Sequence, residues 1–123
     1  MGSLQAQYLQ TQVFTASPVR LVLLVYQEAL RRAAVASGLT DSEHREGAHR
    51  AILAVQEAVQ VLQENLDSSA GEVAAKMAAI YEYVQQKLVE ANMKKEASPL
   101  AEVRNILEEL RGAWQEIEGK IPA

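Results

Sequence analysis

The pair of residues best suited to bind a metal is Glu46 and His49, a Glu-x-x-His motif on a predicted helix. Helical bundles that hold two iron or manganese ions use two such pairs on different helices, together with two further glutamates. This chain has two histidines, His44 and His49, and both lie in the same short stretch. A second pair on another helix is therefore excluded, and we expect no metal site and no cofactor.

Nucleophilic catalysis also finds no support among the serines. Ser17 and Ser98 each precede a proline, Pro18 and Pro99, which is typical of a helix N-cap followed by proline at the first helical position. Neither serine lies in a Gly-x-Ser-x-Gly turn, the chain has no cysteine, and its glycines form no phosphate-binding loop. We expect no catalytic residue and no enzymatic activity.

Length and charge narrow the class of protein further. The 123 residues predict one domain, 1–123, and a net charge of -4 disfavours a protein that neutralises nucleic-acid phosphates. The longest strongly apolar run, Leu21 to Tyr26, is far shorter than the roughly 20 residues that span a bilayer. The absence of cysteine fits a reducing compartment. We expect a cytoplasmic protein without nucleic-acid partners or membrane insertion.

Apolar residues recur at intervals of three and four, which is typical of amphipathic helices. The pattern predicts helices at about 18–36, 41–66, 71–95 and 99–118. Gly38 is expected to end the first helix, and Thr40 with Glu43 to form a capping box for the second. Because short loops place consecutive helices antiparallel, we predict an all-α, up-down-up-down four-helix bundle.

An apolar leader, residues 1–16, precedes the predicted bundle. Its apolar side chains have too much surface for a free tail, so we expect the segment to dock on the bundle as a lid over part of a partner groove. These side chains belong to Leu4, Tyr8, Leu9, Val13 and Phe14. The alternative is that Tyr8 and Val13 contact the partner directly.

Two tyrosines on the third helix, Tyr81 and Tyr83, are two residues apart and cannot share one face. Tyr81 fits the core, since Met77 and Val84 lie at helical spacing from it. Tyr83 is then expected outside the core-facing side of the helix, at the edge of the bundle. A tyrosine at the edge of a helical bundle often contacts another chain.

Three blocks of sequence are similar to those of a known family. They comprise Tyr8 with Val13, Thr15 to Pro18, Leu21 and Leu24 to Tyr26; then Tyr81 to Val84 with Lys87 to Asn92; and last Leu107 to Trp114. In type and spacing, from about Tyr8 to Ile117, they resemble the FliS family of flagellin-specific export chaperones. The chain departs from the family's usual pattern at Arg20, Gln27 and Glu28.

The resemblance implies a cytoplasmic bundle that binds the C-terminal segment of flagellin, prevents its early polymerisation and hands it to a component of the flagellar type III export gate. An alternative is a helical interaction or oligomerisation module that serves a different secreted partner. Among the signature positions, Leu21, Leu24, Leu88 and Trp114 are expected to lie in the core. Partner-binding candidates are Tyr8, Val13, Tyr26, Tyr83, Ala91 and Asn92.

Overall fold

The computed structural model describes residues 19–40 and 43–120 of the chain. Four α-helices make up most of this part: α1 (Val19–Ser37), α2 (Arg45–Glu64), α3 (Glu72–Lys94) and α4 (Ala97–Lys120). A short 3₁₀ helix, Ser68–Ala70, connects α2 to α3.

Each helix packs against its two neighbours in the bundle: α1 lies against α2 and α4, and α3 lies against the same two helices from the other side. The short connections make consecutive helices antiparallel. Contacts at the ends agree, since Arg20 near the start of α1 forms an ion pair of 3.3 Å with Glu118 near the end of α4. The all-α, up-down-up-down prediction is confirmed.

The core is a single cluster of apolar side chains to which all four helices contribute. Trp114, Tyr26 and Tyr81 are its largest fully buried members. A hydrogen bond joins two helices across this core, since the hydroxyl oxygens of Tyr26 on α1 and Tyr81 on α3 lie 2.5 Å apart. The bond ties the two helices that face each other diagonally across the bundle.

The predicted start of α2 is wrong by about four residues. The helix begins at Arg45, and the Thr40 hydroxyl instead donates to the carbonyl of Ser37 at 3.2 Å. That carbonyl belongs to the last turn of α1, which leaves several acceptors without helical partners. Thr40 therefore satisfies the end of α1 and does not cap α2, while Gly38 follows the end of α1 as expected.

The predicted start of α4 is also displaced. The helix begins at Ala97, so Ser98 and Pro99 lie inside its first turn and Ser98 is not the N-cap. Proline is tolerated there because the first-turn N–H groups have no acceptor within the helix. The other predicted serine cap, Ser17 with Pro18, lies outside the described residues.

The break between α2 and α3 is where the sequence predicts it. The Asp67 carboxylate accepts hydrogen bonds from the Ser69 backbone N–H at 3.0 Å and from the Ser69 hydroxyl at 2.6 Å. Gly71 then has φ = 85°, a conformation that disfavours residues with a side chain. These local interactions turn the chain so that α3 runs back along α2.

Candidate functional site

An apolar groove runs between α3 and α4. It encloses about 400 Å³ and is lined by Ala79, Ile80, Tyr83, Ile106, Leu110 and Glu109. The small side chain of Ala79 leaves space between larger neighbours, and Ile80, Ile106 and Leu110 are half-buried at its walls. Such a depression offers apolar surface that a partner side chain can cover.

A second apolar groove lies between α1 and α2. It encloses about 330 Å³, and its lining includes Leu21, Leu24 and Val61, with Asn65 at its polar end. Leu21 is 51% exposed and Leu24 49% exposed, which is unusual for large apolar side chains that lie side by side. Because α1 and α2 form one side of the bundle and α3 and α4 the other, the two grooves lie on opposite faces.

Polar contacts hold Tyr83 at the edge of the α3/α4 groove. Its hydroxyl donates to the Glu102 carboxylate, and the Lys87 ammonium lies 5.6 Å from the centre of its ring. Lys87 also pairs with Glu90 at 3.3 Å and with Glu102 at 3.6 Å. The hydrogen bond to Glu102 raises the pKa of Tyr83, and the hydrogen bond to Glu90 raises the pKa of Lys87. These contacts fix the side chain of Tyr83 at the edge of the groove. The prediction that Tyr83 lies outside the core-facing side of its helix is confirmed.

Asn92 lies in a more polar pocket between α2 and α3. The Lys95 ammonium donates to its Oδ1 at 2.7 Å, and because an ammonium has no acceptor, this contact identifies the amide oxygen. Both amide atoms lie near Nδ1 of His49, Nδ2 at 2.8 Å and Oδ1 at 3.1 Å, and the tautomer of the ring decides whether Nδ1 accepts from Nδ2 or donates to Oδ1. Asn92 ties the two helices together within the chain, and its partner-binding role stays a prediction.

Two other partner-binding candidates, Tyr26 and Ala91, lie in the core and have no exposed surface. Burial raises the pKa of the Tyr26 hydroxyl, while its hydrogen bond with Tyr81 acts in the opposite direction. Neither side chain is at the surface of the partner-free bundle, and the partner-binding role of both residues stays a prediction. Tyr8 and Val13, the remaining candidates, lie outside the described residues.

The expectation that Leu21 and Leu24 belong to the core is wrong. On α1 the buried face is formed by Val22, Tyr26 and the alanines that follow them, and the two leucines lie on its outer flank. Leu88 and Trp114 are fully buried, as expected. The wide apolar sector of α1 therefore divides into a core face and an exposed face.

Ile80 and Leu110 fit the apolar spacing of α3 and α4, which favours a place in the core, but both are half-buried at the α3/α4 groove. The spacing of three and four did not identify Ile106 or Val61 as groove residues. The signal that would find them is the width of the apolar face: Ile106 is followed directly by Leu107, and Val61 by Leu62. One member of each pair fills the core, and the other is left at the groove.

Within residues 19–40 and 43–120, no three His, Cys, Asp or Glu side chains converge on a metal-sized site. Glu46 pairs with Arg50 at 2.8 Å, and His49 faces Asn92. None of the described helices is long and apolar enough to span a bilayer.

Comparison with known proteins identifies the family. The family model described as "Flagellar protein FliS" matches residues 1–121. The flagellar secretion chaperone FliSB of Pseudomonas aeruginosa is 36% identical over 121 residues, which cover 95% of this chain and 94% of that protein. The flagellar secretion chaperone FliS of Bacillus subtilis is 31% identical over 109 residues, or 89% of this chain and 81% of that protein. The chain therefore belongs to the FliS family, a family of flagellar secretion chaperones and not of enzymes.

Proposed function

We propose that this protein acts in the cytoplasm as the export chaperone of flagellin. It binds the C-terminal segment of newly made flagellin, prevents premature polymerisation and delivers the complex to a component of the flagellar type III export gate. The observation that carries this proposal is the pair of apolar grooves on opposite faces of one bundle.

The shape of the grooves favours a helical ligand. Each groove lies between two packed helices, the site at which an amphipathic helix inserts apolar residues spaced by three and four. A segment that is disordered when free can fold into both grooves and cover a large surface, because its ordering occurs on binding. Covering the apolar face of that segment would keep it from assembling with other flagellin molecules.

The energy of binding is expected to come mainly from apolar burial. Leu24 retains about half of its surface in the free protein. Complete burial of a leucine contributes about 1.5–3 kcal/mol, so covering the remaining half contributes about 1 kcal/mol. Similar contributions from Leu21, Val61 and the α3/α4 groove would add up to a stable complex.

The direct test is calorimetric titration with a peptide of the flagellin C-terminal segment. We expect one-to-one binding with a negative heat-capacity change, and circular dichroism should show more helix than the sum of the two parts. Absence of both heat and added helix at high micromolar concentration would contradict the proposal.

A matched pair of variants tests the groove itself. Leu24→Ser removes an exposed apolar side chain that lines the α1/α2 groove, whereas Val35→Ser removes one of similar exposure, on the same helix, that lines neither apolar groove. We expect Leu24→Ser to weaken peptide binding about fivefold, from the loss of about 1 kcal/mol, and Val35→Ser to leave it unchanged. Equal effects of the two changes would show that the groove is not the binding surface.

The alternative partner classes are separated by capture from native cytosol. Recovery of flagellin supports the proposal, and recovery of a different secreted protein replaces it with the more general chaperone function. Self-association that disappears in Leu24→Ser would instead indicate an oligomerisation module.

A further inference from the structure

The α3/α4 groove contains one charged residue, Glu109, in an otherwise apolar lining except for the Tyr83 hydroxyl. Glu109 lies next to Ile106 on the surface of α4, since residues three positions apart are neighbours on a helix, and Leu110 lines the same groove. The side chain of Glu109 is exposed at the mouth of the groove. The described part of the chain gives its carboxylate no hydrogen bond and no ion pair.

Two cations on these helices, Arg111 and Lys87, pair with other carboxylates. Arg111 pairs with Glu108 at 2.8 Å, and Lys87 pairs with Glu90 and Glu102 beyond Tyr83. The acidic groups on either side of Glu109 are thus neutralised by their own partners. Among the described residues that line the groove, Glu109 is the one carboxylate that an occupant would meet.

We propose that the α3/α4 groove selects an amphipathic partner helix in which a lysine or arginine flanks the apolar stripe and pairs with Glu109. This inference rests on the proposed function and specifies the chemistry of the segment that one groove accepts. Apolar residues of the helix cover Ile80, Ile106 and Leu110, while its basic residue lies over the carboxylate. The ion pair fixes the position of the helix along the groove, because sliding by one turn separates the charges.

Charge complementarity also disfavours other occupants. An acidic residue at the same position of the ligand would repel Glu109, so the groove discriminates between helices of equal apolarity. A second copy of this chain carries a net charge of -4 and would approach the carboxylate with like charge in excess. A segment of a different protein with a basic residue beside its apolar stripe is the complementary partner.

The test compares Glu109→Gln with Glu108→Gln in the full chain. Both changes remove one carboxylate from adjacent exposed positions of α4, but Glu108 already has Arg111 as its partner and does not line the groove. The probe is the peptide of the flagellin C-terminal segment, titrated at low salt and again at about 1 M salt, where the Debye length is about 3 Å.

We expect Glu109→Gln to weaken peptide binding about fivefold at low salt and by less than twofold at high salt, with melting temperatures equal to that of the parent. Glu108→Gln should leave the affinity unchanged. In a set of peptides that each carry one Lys→Gln or Arg→Gln change, one peptide should bind the parent protein about fivefold more weakly than the unchanged peptide does. The Glu109→Gln protein should bind that altered peptide and the unchanged peptide with equal affinity.

The failure of this inference is distinguishable from the failure of the proposed function. If the peptide binds the parent but Glu109→Gln behaves like Glu108→Gln, the basic-residue inference is overturned and the chaperone proposal stands. If every basic residue of the peptide can be neutralised without loss specific to Glu109, the inference is also overturned. If the parent does not bind the peptide at all, both proposals fail.

Discussion

Replacing Trp114 by alanine should damage the fold far more than it damages partner recognition. Trp114 is the largest of the fully buried side chains, and it lies in the core that all four helices share. Truncation of a buried tryptophan to alanine costs about 3–5 kcal/mol, from lost apolar burial and from the cavity that remains. Since domains of this size are stable by about 5–15 kcal/mol, the variant should fold with a much reduced margin.

The assay is thermal unfolding followed by circular dichroism, together with peptide titration at a temperature where the variant is folded. Each kcal/mol shifts the melting temperature of a chain of this size by about 3–5 °C, so a loss of roughly 10–25 °C is expected. Because Trp114 has no exposed surface, the affinity of the folded variant should match that of the parent. Trp114→Phe leaves a smaller cavity and provides the same comparison if the alanine variant does not fold.

The matched variant is Tyr83→Ala, for which the opposite balance is expected. Tyr83 is 40% exposed and forms a wall of the α3/α4 groove, so its removal should change the melting temperature little and weaken peptide binding. A Trp114→Ala protein that melts like the parent but fails to bind would refute this division of core from contact residues. So would a Tyr83→Ala protein that unfolds at much lower temperature and binds normally once folded.

Burial raises the pKa of both Tyr26 and Tyr81 above the value of 10.0 expected in the unfolded chain, so the stability linked to their protonated forms is complete below pH 10 and is lost as the pH rises further; the double Tyr→Phe variant should show a shallower alkaline fall in melting temperature, and an unchanged slope would contradict the burial argument. A chain that starts at Thr15 should bind the flagellin peptide more tightly and melt at a lower temperature if the leader is a lid, whereas weaker or unchanged affinity refutes the lid. His49→Ala should leave peptide binding intact, and the purified parent should contain no stoichiometric metal; about one equivalent of a bound transition metal would overturn this.

The four helices and their order in the bundle could be predicted from the sequence, because the apolar spacing of each helix is regular over several turns. The first residue of each helix was harder to predict, because Ser and Thr form several kinds of local hydrogen bond. Thr40 illustrates this difficulty: its hydroxyl serves the end of α1, although its spacing from Glu43 is that of a capping box. Pro99 likewise marks the first turn of α4 without marking its first residue.

The candidate site was less predictable than the fold, because hydrophobicity alone does not distinguish a buried residue from an exposed one. On α1, Leu21, Leu24 and Tyr26 all read as apolar, but the tyrosine is buried and the leucines are exposed. Tyr26 is a partner-binding candidate through the family resemblance, whereas in the structure its hydroxyl lies in the core and forms a hydrogen bond with that of Tyr81 on α3. Such a pairing across the core depends on two helices and leaves no mark in the periodicity of either.

The opposite placement of the two apolar grooves restricts the kind of partner that this bundle can hold. A straight helix in the α1/α2 groove cannot reach the α3/α4 groove, because the whole bundle lies between them. A partner that uses both must have two apolar stretches joined by a part that passes around the bundle, and a folded, rigid protein does not meet that condition. A segment that orders only on binding does meet it, since its linker can remain extended while each end forms a helix. The same geometry requires the free bundle to hold its own fold, and its shared core, with Trp114 and the Tyr26–Tyr81 pair as its largest buried members, provides that stability.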